Sequence, residues 1–273
     1  MPTVLVISSY VAASRVGGSI APLVLGPMGI ETILAPTCLF GRHPGRGDPG
    51  GAAVSAETLE QLLRGIEADG VFPQLDAILT GHFSQPAQVD VAAGAIARAR
   101  AAHPAPERLQ VVVDPIMGDE GPGRYIREAV AQAIAQKLVP IADIVAPNRW
   151  EFARLCGVDL DAVGTAEDIA TLARRRGGRW MISSVPAPAG IGAMVVEAGT
   201  AIRHSTPRVK GTIPNGTGDL LTLWFVGEIV RGAAPGAALL AAVEATHRIL
   251  SQTVAAGARD LILINRGTAP GTP

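Results

Sequence analysis

The chain has 273 residues, 48% of them hydrophobic, 17% charged and 4% aromatic, and its 23 basic and 24 acidic side chains leave a net charge of −1. Such a chain is too apolar to stay disordered and too neutral to capture nucleic acid or an anionic membrane surface by charge. The scarcity of aromatic rings argues against base stacking, and no run of about 18 apolar residues offers a membrane span. At roughly 150 residues per domain, the length allows one large α/β domain or two small ones. Cys38 and Cys156 are too few for a disulfide framework and lie in no metal-ligand spacing, so they read as small buried hydrophobes. The first residues lack the basic region of a signal peptide, which makes the cytoplasm the expected setting and a β-strand the expected first element.

Short runs of branched aliphatic residues then recur along the chain. They fall at 4–7, 31–34, 77–79, 111–113, 144–146 and 180–182, with 193–196 and 201–204 as a hairpin-like pair. Helical patterns lie between the earlier runs, at 55–66, 88–102, 126–138 and 166–175. Strands that are continuously apolar rather than alternating are buried on both faces, and their alternation with helices predicts a doubly wound, mostly parallel α/β sheet. Five glycines and two prolines between 41 and 51 interrupt the pattern. They mark either a plain surface loop or a mobile lid. A single domain over 1–266 and a frayed tail over 267–273 are expected.

In an open parallel sheet, ligands bind beyond the carboxyl ends of the strands. Small polar and acidic residues gather there: Ser8 and Ser9, Thr80-Gly81-His82, Asp114, Asp119, Asn148, Glu151, Ser183 and Ser184. The sharpest segment is Asn215-Gly216-Thr217-Gly218-Asp219, followed by an apolar helical run. Glycines before a helix leave backbone N–H groups free where the dipole favours an anion, and without side chains they admit a phosphate closely. Asp219, in the first turn, either complements the dipole or accepts a proton from a hydroxyl attacking that phosphate. Asp119 and Glu151 follow neighbouring strands and suit a Mg²⁺ ion that keeps several waters. Asn148 and Glu151 also have the spacing of a capping box, a purely structural alternative for Glu151. His103, His204 and His247 show no partner spacing and are expected on the surface or on helix faces. Arg174, Arg175 and Arg176 read as complementing a helix C-terminus.

These motifs resemble the pyridoxal kinases of the ribokinase-like superfamily along nearly the whole chain. The resemblance rests on Ile7-Ser8-Ser9 with Val16-Gly17-Gly18-Ser19, Phe40 with His43 and Gly45, Leu79-Thr80-Gly81, Asp114-Pro115-Ile116-Met117-Gly118-Asp119, Ala142-Asp143-Ile144 with Pro147-Asn148 and Glu151, Ile182-Ser183-Ser184, and Gly216-Thr217-Gly218-Asp219. It implies a ribokinase-like fold with a flap at about 41–51 and transfer of the γ-phosphate of ATP to the 5′-hydroxymethyl group of pyridoxal. Asp219 would be the base, and the backbone of Gly216, Thr217 and Gly218 the anion hole. Asp114, Ala146, Asn148, Glu151, Ser183, Ser184 and Thr217 would face the nucleotide, with Asp119 and Glu151 toward the metal. Ser9, Phe40, His43, Pro44 and His82 would frame the acceptor ring beside Asp219, and Gly45, Arg46 and Tyr125 would belong to the lid. The implied cofactors are ATP and Mg²⁺, with K⁺ as an optional activator. The implied partners are a small-molecule vitamer and a second subunit in a homodimer.

The departures from the family pattern cluster on the acceptor side. Gly41-Arg42-His43-Pro44 stands where relatives usually carry Ser-Asn-His-Thr, and His82 where they have Tyr. Arg46 replaces a flap Tyr, and Ala146 a Thr near the nucleotide. Hydroxymethylpyrimidine kinases share the Asp-Pro-Ile-Met-Gly-Asp segment but commonly have Cys where this chain has Asp219. Two further classes are weighed against a kinase. A dinucleotide-dependent oxidoreductase would need a complete Gly-x-Gly-x-x-Gly after the first strand, and a vitamer-binding homologue without turnover would tolerate the altered flap.

Overall fold

The computed structural model describes residues 1–263. The expected tail at 267–273, and the end of the expected domain at 266, lie outside them. In chain order the elements are β1 (Thr3–Val11), α1 (Ala21–Leu25), β2 (Glu31–Phe40), β3 (Gly51–Ala53), α2 (Ala56–Ala68), β4 (Ala77–Thr80), α3 (Pro86–Ala102), β5 (Gln110–Val113), β6 (Gly118–Asp119), β7 (Gly123–Arg124), α4 (Glu128–Ala133), β8 (Ile144–Val145), α5 (Arg149–Cys156), α6 (Ala166–Arg176), β9 (Trp180–Ala187), β10 (Gly190–Glu197), β11 (Thr200–Pro207), α7 (Thr217–Val230) and α8 (Pro235–Ala255). Nine strands form one sheet in the order β11-β10-β9-β8-β5-β4-β1-β2-β3, and β6 and β7 make a separate small hairpin. The six strands from β2 to β9 across the middle run parallel, while β3, β10 and β11 add antiparallel edges.

The central strands are apolar on both faces because helices cover both. Val4 and Val6 pack with Leu220, Phe225 and Leu239 on one side, while Leu5 and Ile7 pack with Leu63, Phe72 and Ile96 on the other. A third cluster around Phe152, Ile169 and Trp180 closes the far end, where Phe152 and Trp180 meet edge to face. Helix α7 is apolar around most of its circumference, as a helix buried between neighbours must be. It lies against α1 and α8, and fully buried Phe225 anchors it. Truncating Phe225 to Ala would cost about 3–5 kcal/mol at such a site.

The sequence reading places eight of the strands and four of the helices, misses β3, β6 and β7, and differs in detail. The helix expected over 126–138 is regular only over α4 and widens into a π-type turn at Ile134–Leu138. Pro140 follows two residues later and has no N–H with which to continue an α-helical ladder. The run expected at 193–196 extends back to Gly190 in β10. Arg174, Arg175 and Arg176 do end α6. No helix among the described residues is long and apolar enough to cross a membrane.

Candidate active site

The start of α7 is built around one glycine. Gly216 caps the helix at φ +90°, and a Cβ there would sit 2.1 Å from the Arg15 carbonyl oxygen, so only glycine fits. No side chain caps this end, and the Thr217 hydroxyl turns away to donate to the Pro214 carbonyl at 3.1 Å. The amides of the first turn are therefore left without the capping acceptor that most helices supply. A Cβ at Gly218 would meet nothing within 4 Å among the described residues. Bare amides facing open space at the positive end of a helix dipole are suited to an anion.

Asp219 and Asp114 lie together beside this site, lining one small void with Thr222 and Ile116. The Asp219 carboxylate accepts the Gly17 N–H, yet burial pushes its pKa up. Asp114 is more strongly affected. Burial first, then the negative charges of Glu151 and Asp219, raise it well above the carboxylate range, while hydrogen bonds from the Thr222 hydroxyl (2.9 Å) and the Ile116 N–H pull the other way. Burial raises both carboxyls, and of the two only Asp219 also lines the smaller of the two cavities at this helix start, which makes it the carboxylate placed to meet a group held there.

Two cavities meet at this helix start. The smaller, about 100 Å³, is lined by Ser9, Phe40, His43, Pro44 and His82 together with Asp219. These are the five residues expected around the acceptor ring. The larger, about 330 Å³, is lined by Asp119, Asn148, Ser183, Ser184, Thr217 and Gly218 among others. Consecutive residues thus face different spaces, Gly218 the larger cavity and Asp219 the smaller. Ser184 holds a left-handed φ of +58° at the rim, and Ile116 one of +38° on the smaller cavity, an unusual conformation for a β-branched side chain.

Of the other residues expected at the nucleotide or metal, Asp114, Ala146 and Glu151 do not line the larger cavity and Asp119 does. Glu151 forms the capping box of α5 with Asn148, and its carboxylate accepts N–H groups from Met117 (2.6 Å), Gly118 (3.2 Å) and Asn148 (2.9 Å). It lines neither cavity. Burial nonetheless raises its pKa to about 7. Ala146 is packed into the core with Ile144 and Met181. Asp119 is half-buried on the rim of the larger cavity, with its pKa raised chiefly by burial. No group of three or more His, Cys, Asp or Glu side chains among the described residues is placed to enclose a metal ion. Tyr125 is exposed beyond β7, and its amide donates to the Met117 carbonyl.

The 41–51 segment is neither a plain loop nor free of structure. It turns through a short 3₁₀ helix at Pro44–Arg46 and ends in β3. His43 accepts the Gly45 N–H on Nδ1 at 3.1 Å, and Nδ1 lies 3.4 Å from the Asn215 amide nitrogen. Burial, then the Arg46 charge, lowers the His43 pKa. Burial and the nearby His43 lower that of His82 to about 4, so the imidazole presented to the small cavity is neutral.

Several lining residues went unassigned in the sequence. Arg208 lines the larger cavity, as does His247, which sits on helix α8, one of its two expected settings. Cys38 is buried as expected but also lines the smaller cavity, where burial pushes its thiol up to about 11. None of these lies in a recognisable motif; only the tertiary fold brings them in.

Fold and site together define a doubly wound α/β protein with an anion-binding helix start between two cavities. The phosphomethylpyrimidine kinase family model matches residues 52–263. The chain is 31% identical to a pyridoxal kinase of Rubrobacter xylanophilus, covering 96% of this chain and 91% of that protein. It is 33% identical to a pyridoxine/pyridoxal/pyridoxamine kinase of Bordetella avium, covering 96% and 89%. Among solved structures, pyridoxal kinase from Entamoeba histolytica superposes with a TM-score of 0.87 at 23% identity over 97% of this chain and 94% of that one. The Leishmania donovani enzyme in complex with ADP and pyridoxamine gives 0.85, also at 23% identity, over 96% and 93%. The chain belongs to the pyridoxal kinase family and has its ribokinase-like fold.

Proposed function

We propose that the protein transfers the γ-phosphoryl group of ATP to the 5′-hydroxymethyl group of pyridoxal or a related B6 vitamer. The observation that carries this reading is the placement of Gly218 and Asp219, neighbours in sequence, on two different cavities. A phosphoryl group held by the amides of α7 then lies between a nucleotide on one side and an alcohol on the other. The hydroxyl oxygen attacks phosphorus, the bond to the bridging oxygen of the departing ADP breaks, and the hydroxyl proton passes to Asp219. The transition state of such transfers is loose, so the proton leaves late and positioning with charge stabilisation dominates. A base with a raised pKa suits that late transfer better than an exposed carboxylate does.

The donor set fits Mg²⁺ in the manner usual for that ion, with one or two carboxylates, several waters and the substrate phosphates. Asp119 is the carboxylate that would hold it, since it stands on the larger cavity while backbone amides engage Glu151. When bound, Mg²⁺ would neutralise charge on the nucleotide phosphates. Asn148, Ser183, Ser184 and Thr217 are assigned to the nucleotide, and Ser9, Phe40, His43, Pro44 and His82 to the acceptor.

Hydroxymethylpyrimidine as acceptor is a second reading, favoured by the description of the matching family model. ADP release with ATP and Mg²⁺ is the test. It should be measured with pyridoxal, pyridoxine, pyridoxamine and hydroxymethylpyrimidine in turn, with and without K⁺. The expected result is the fastest turnover with a B6 vitamer. Turnover of hydroxymethylpyrimidine alone would favour the second reading, and ADP release that no acceptor stimulates would refute both.

A further inference from the structure

Arg46 stands in the flap, and its side chain is four-fifths buried, with 18% exposed. It reaches across to the turn after α8. Nη2 lies 2.8 Å from Asp260 Oδ1 and donates to the Arg259 carbonyl at 3.3 Å, while Nη1 lies 3.2 Å from Asp260 Oδ2. Nη1 also donates to the buried Ser14 hydroxyl at 3.2 Å, whose oxygen in turn accepts the His43 N–H at 3.3 Å. Asp260 accepts the Arg15 N–H at 3.4 Å, and the Arg15 carbonyl is the group against which Gly216 packs. One ion pair therefore ties together three segments far apart in sequence. It joins the flap that carries His43 and Pro44, the loop after β1, and the end of α8.

We propose that Arg46 and Asp260 form a latch that holds the flap down on the acceptor cavity and, through Arg15, braces the glycine that starts the anion site. This deepens the kinase reading and rests on it for the functional half of the claim. A two-pronged Arg–carboxylate contact fixes orientation as well as distance, which a single surface ion pair does not. With the latch made, His43 and Pro44 are already on the cavity before any acceptor arrives, so less ordering is left to binding. Arg46 and Asp260 touch no reacting atom and act as positioning residues.

Two measurements on the full chain test the latch. Hydrogen exchange of residues 41–51 should quicken about tenfold or more in Arg46→Met and in Asp260→Asn, with no further increase in the double variant. Steady-state kinetics should show the KM for the B6 vitamer rising about tenfold in each, while the KM for ATP moves less than about twofold. The reciprocal variant Arg46→Asp with Asp260→Arg restores the charge pair and should recover much of both effects. Exchange at the parent rate in the single variants overturns the latch, whatever the enzyme phosphorylates. Faster exchange with unchanged KM for every acceptor overturns its role in binding. If the parent protein turns over no acceptor, the kinase reading fails, and the exchange data still judge the latch.

Discussion

Glu151 and Met117, thirty-four residues apart, are joined by a hydrogen bond of 2.6 Å from the Met117 amide to the Glu151 carboxylate. The same carboxylate also holds Gly118 and the start of α5, so one buried side chain secures the turn between Asp114 and Asp119. Replacement by Ala leaves three amides without this acceptor. Because an unmet buried amide costs on the order of 1–3 kcal/mol, Glu151→Ala should lose about 3 kcal/mol or more of unfolding free energy in urea titrations. Parent-like stability would show that the carboxylate does not secure the turn.

The same group gives a pH dependence. Its pKa is about 7 in the folded chain against an ordinary value of 4.5, so the folded state binds the proton more tightly. Its contribution to stability is then fully present below about pH 4.5 and is lost as the pH rises through 7. At 1.36 kcal/mol per pKa unit, the parent should lose about 3 kcal/mol relative to Glu151→Gln between pH 4.5 and 8. Parallel stability curves for the two proteins would contradict the shift.

Asp219→Asn removes the carboxylate proposed as proton acceptor but leaves the amides of α7 and the larger cavity in place. Loss of kcat by about 10²-fold or more is expected, the scale of a lost general base, with ATP binding retained by calorimetry. Turnover near the parent rate would remove Asp219 from the chemistry.

The two glycines of the helix start should separate structure from binding. At Gly216 an alanine methyl meets the Arg15 carbonyl and the backbone holds a left-handed φ, so Gly216→Ala should lower thermal stability together with activity. At Gly218 the methyl enters open space on the larger cavity, so Gly218→Ala should fold with parent-like stability yet lose about tenfold or more in kcat/KM for ATP. Equal stability losses in the two variants would contradict this assignment of space.

His82 is neutral throughout the working range, since its pKa is pushed down to about 4. Between pH 6 and 8, replacing it with Gln should leave the shape of the kcat/KM profile for the vitamer unchanged while raising that KM about tenfold. An inflection lost in the variant would show that the imidazole titrates in turnover.

Much of this was legible from residue order. Parallel strands buried on both faces must be apolar throughout, which exposes them in sequence, and the left-handed φ at the start of α7 calls for a glycine at Gly216. Other parts were not. Helix α8 is alanine-rich and has no side-chain cap, so nothing in the residue order places His247 on the cavity. The spacing of Asn148 and Glu151 fitted both a capping box and a metal site, and only the amides of Met117 and Gly118, from another segment, distinguish the two. The flap read equally as loop or lid because its anchor, Asp260, lies at the other end of the chain.

The turn at Ile116 also divides the molecule's labour along the chain. Apart from Asp219, every residue lining the smaller cavity is numbered 116 or lower, and every residue lining the larger cavity 119 or higher. On the kinase reading, substitutions in the first hundred or so positions bear on which alcohol is admitted, while most residues assigned to the nucleotide lie beyond them. Laboratory swaps of that leading portion between relatives offer a direct route to new acceptors.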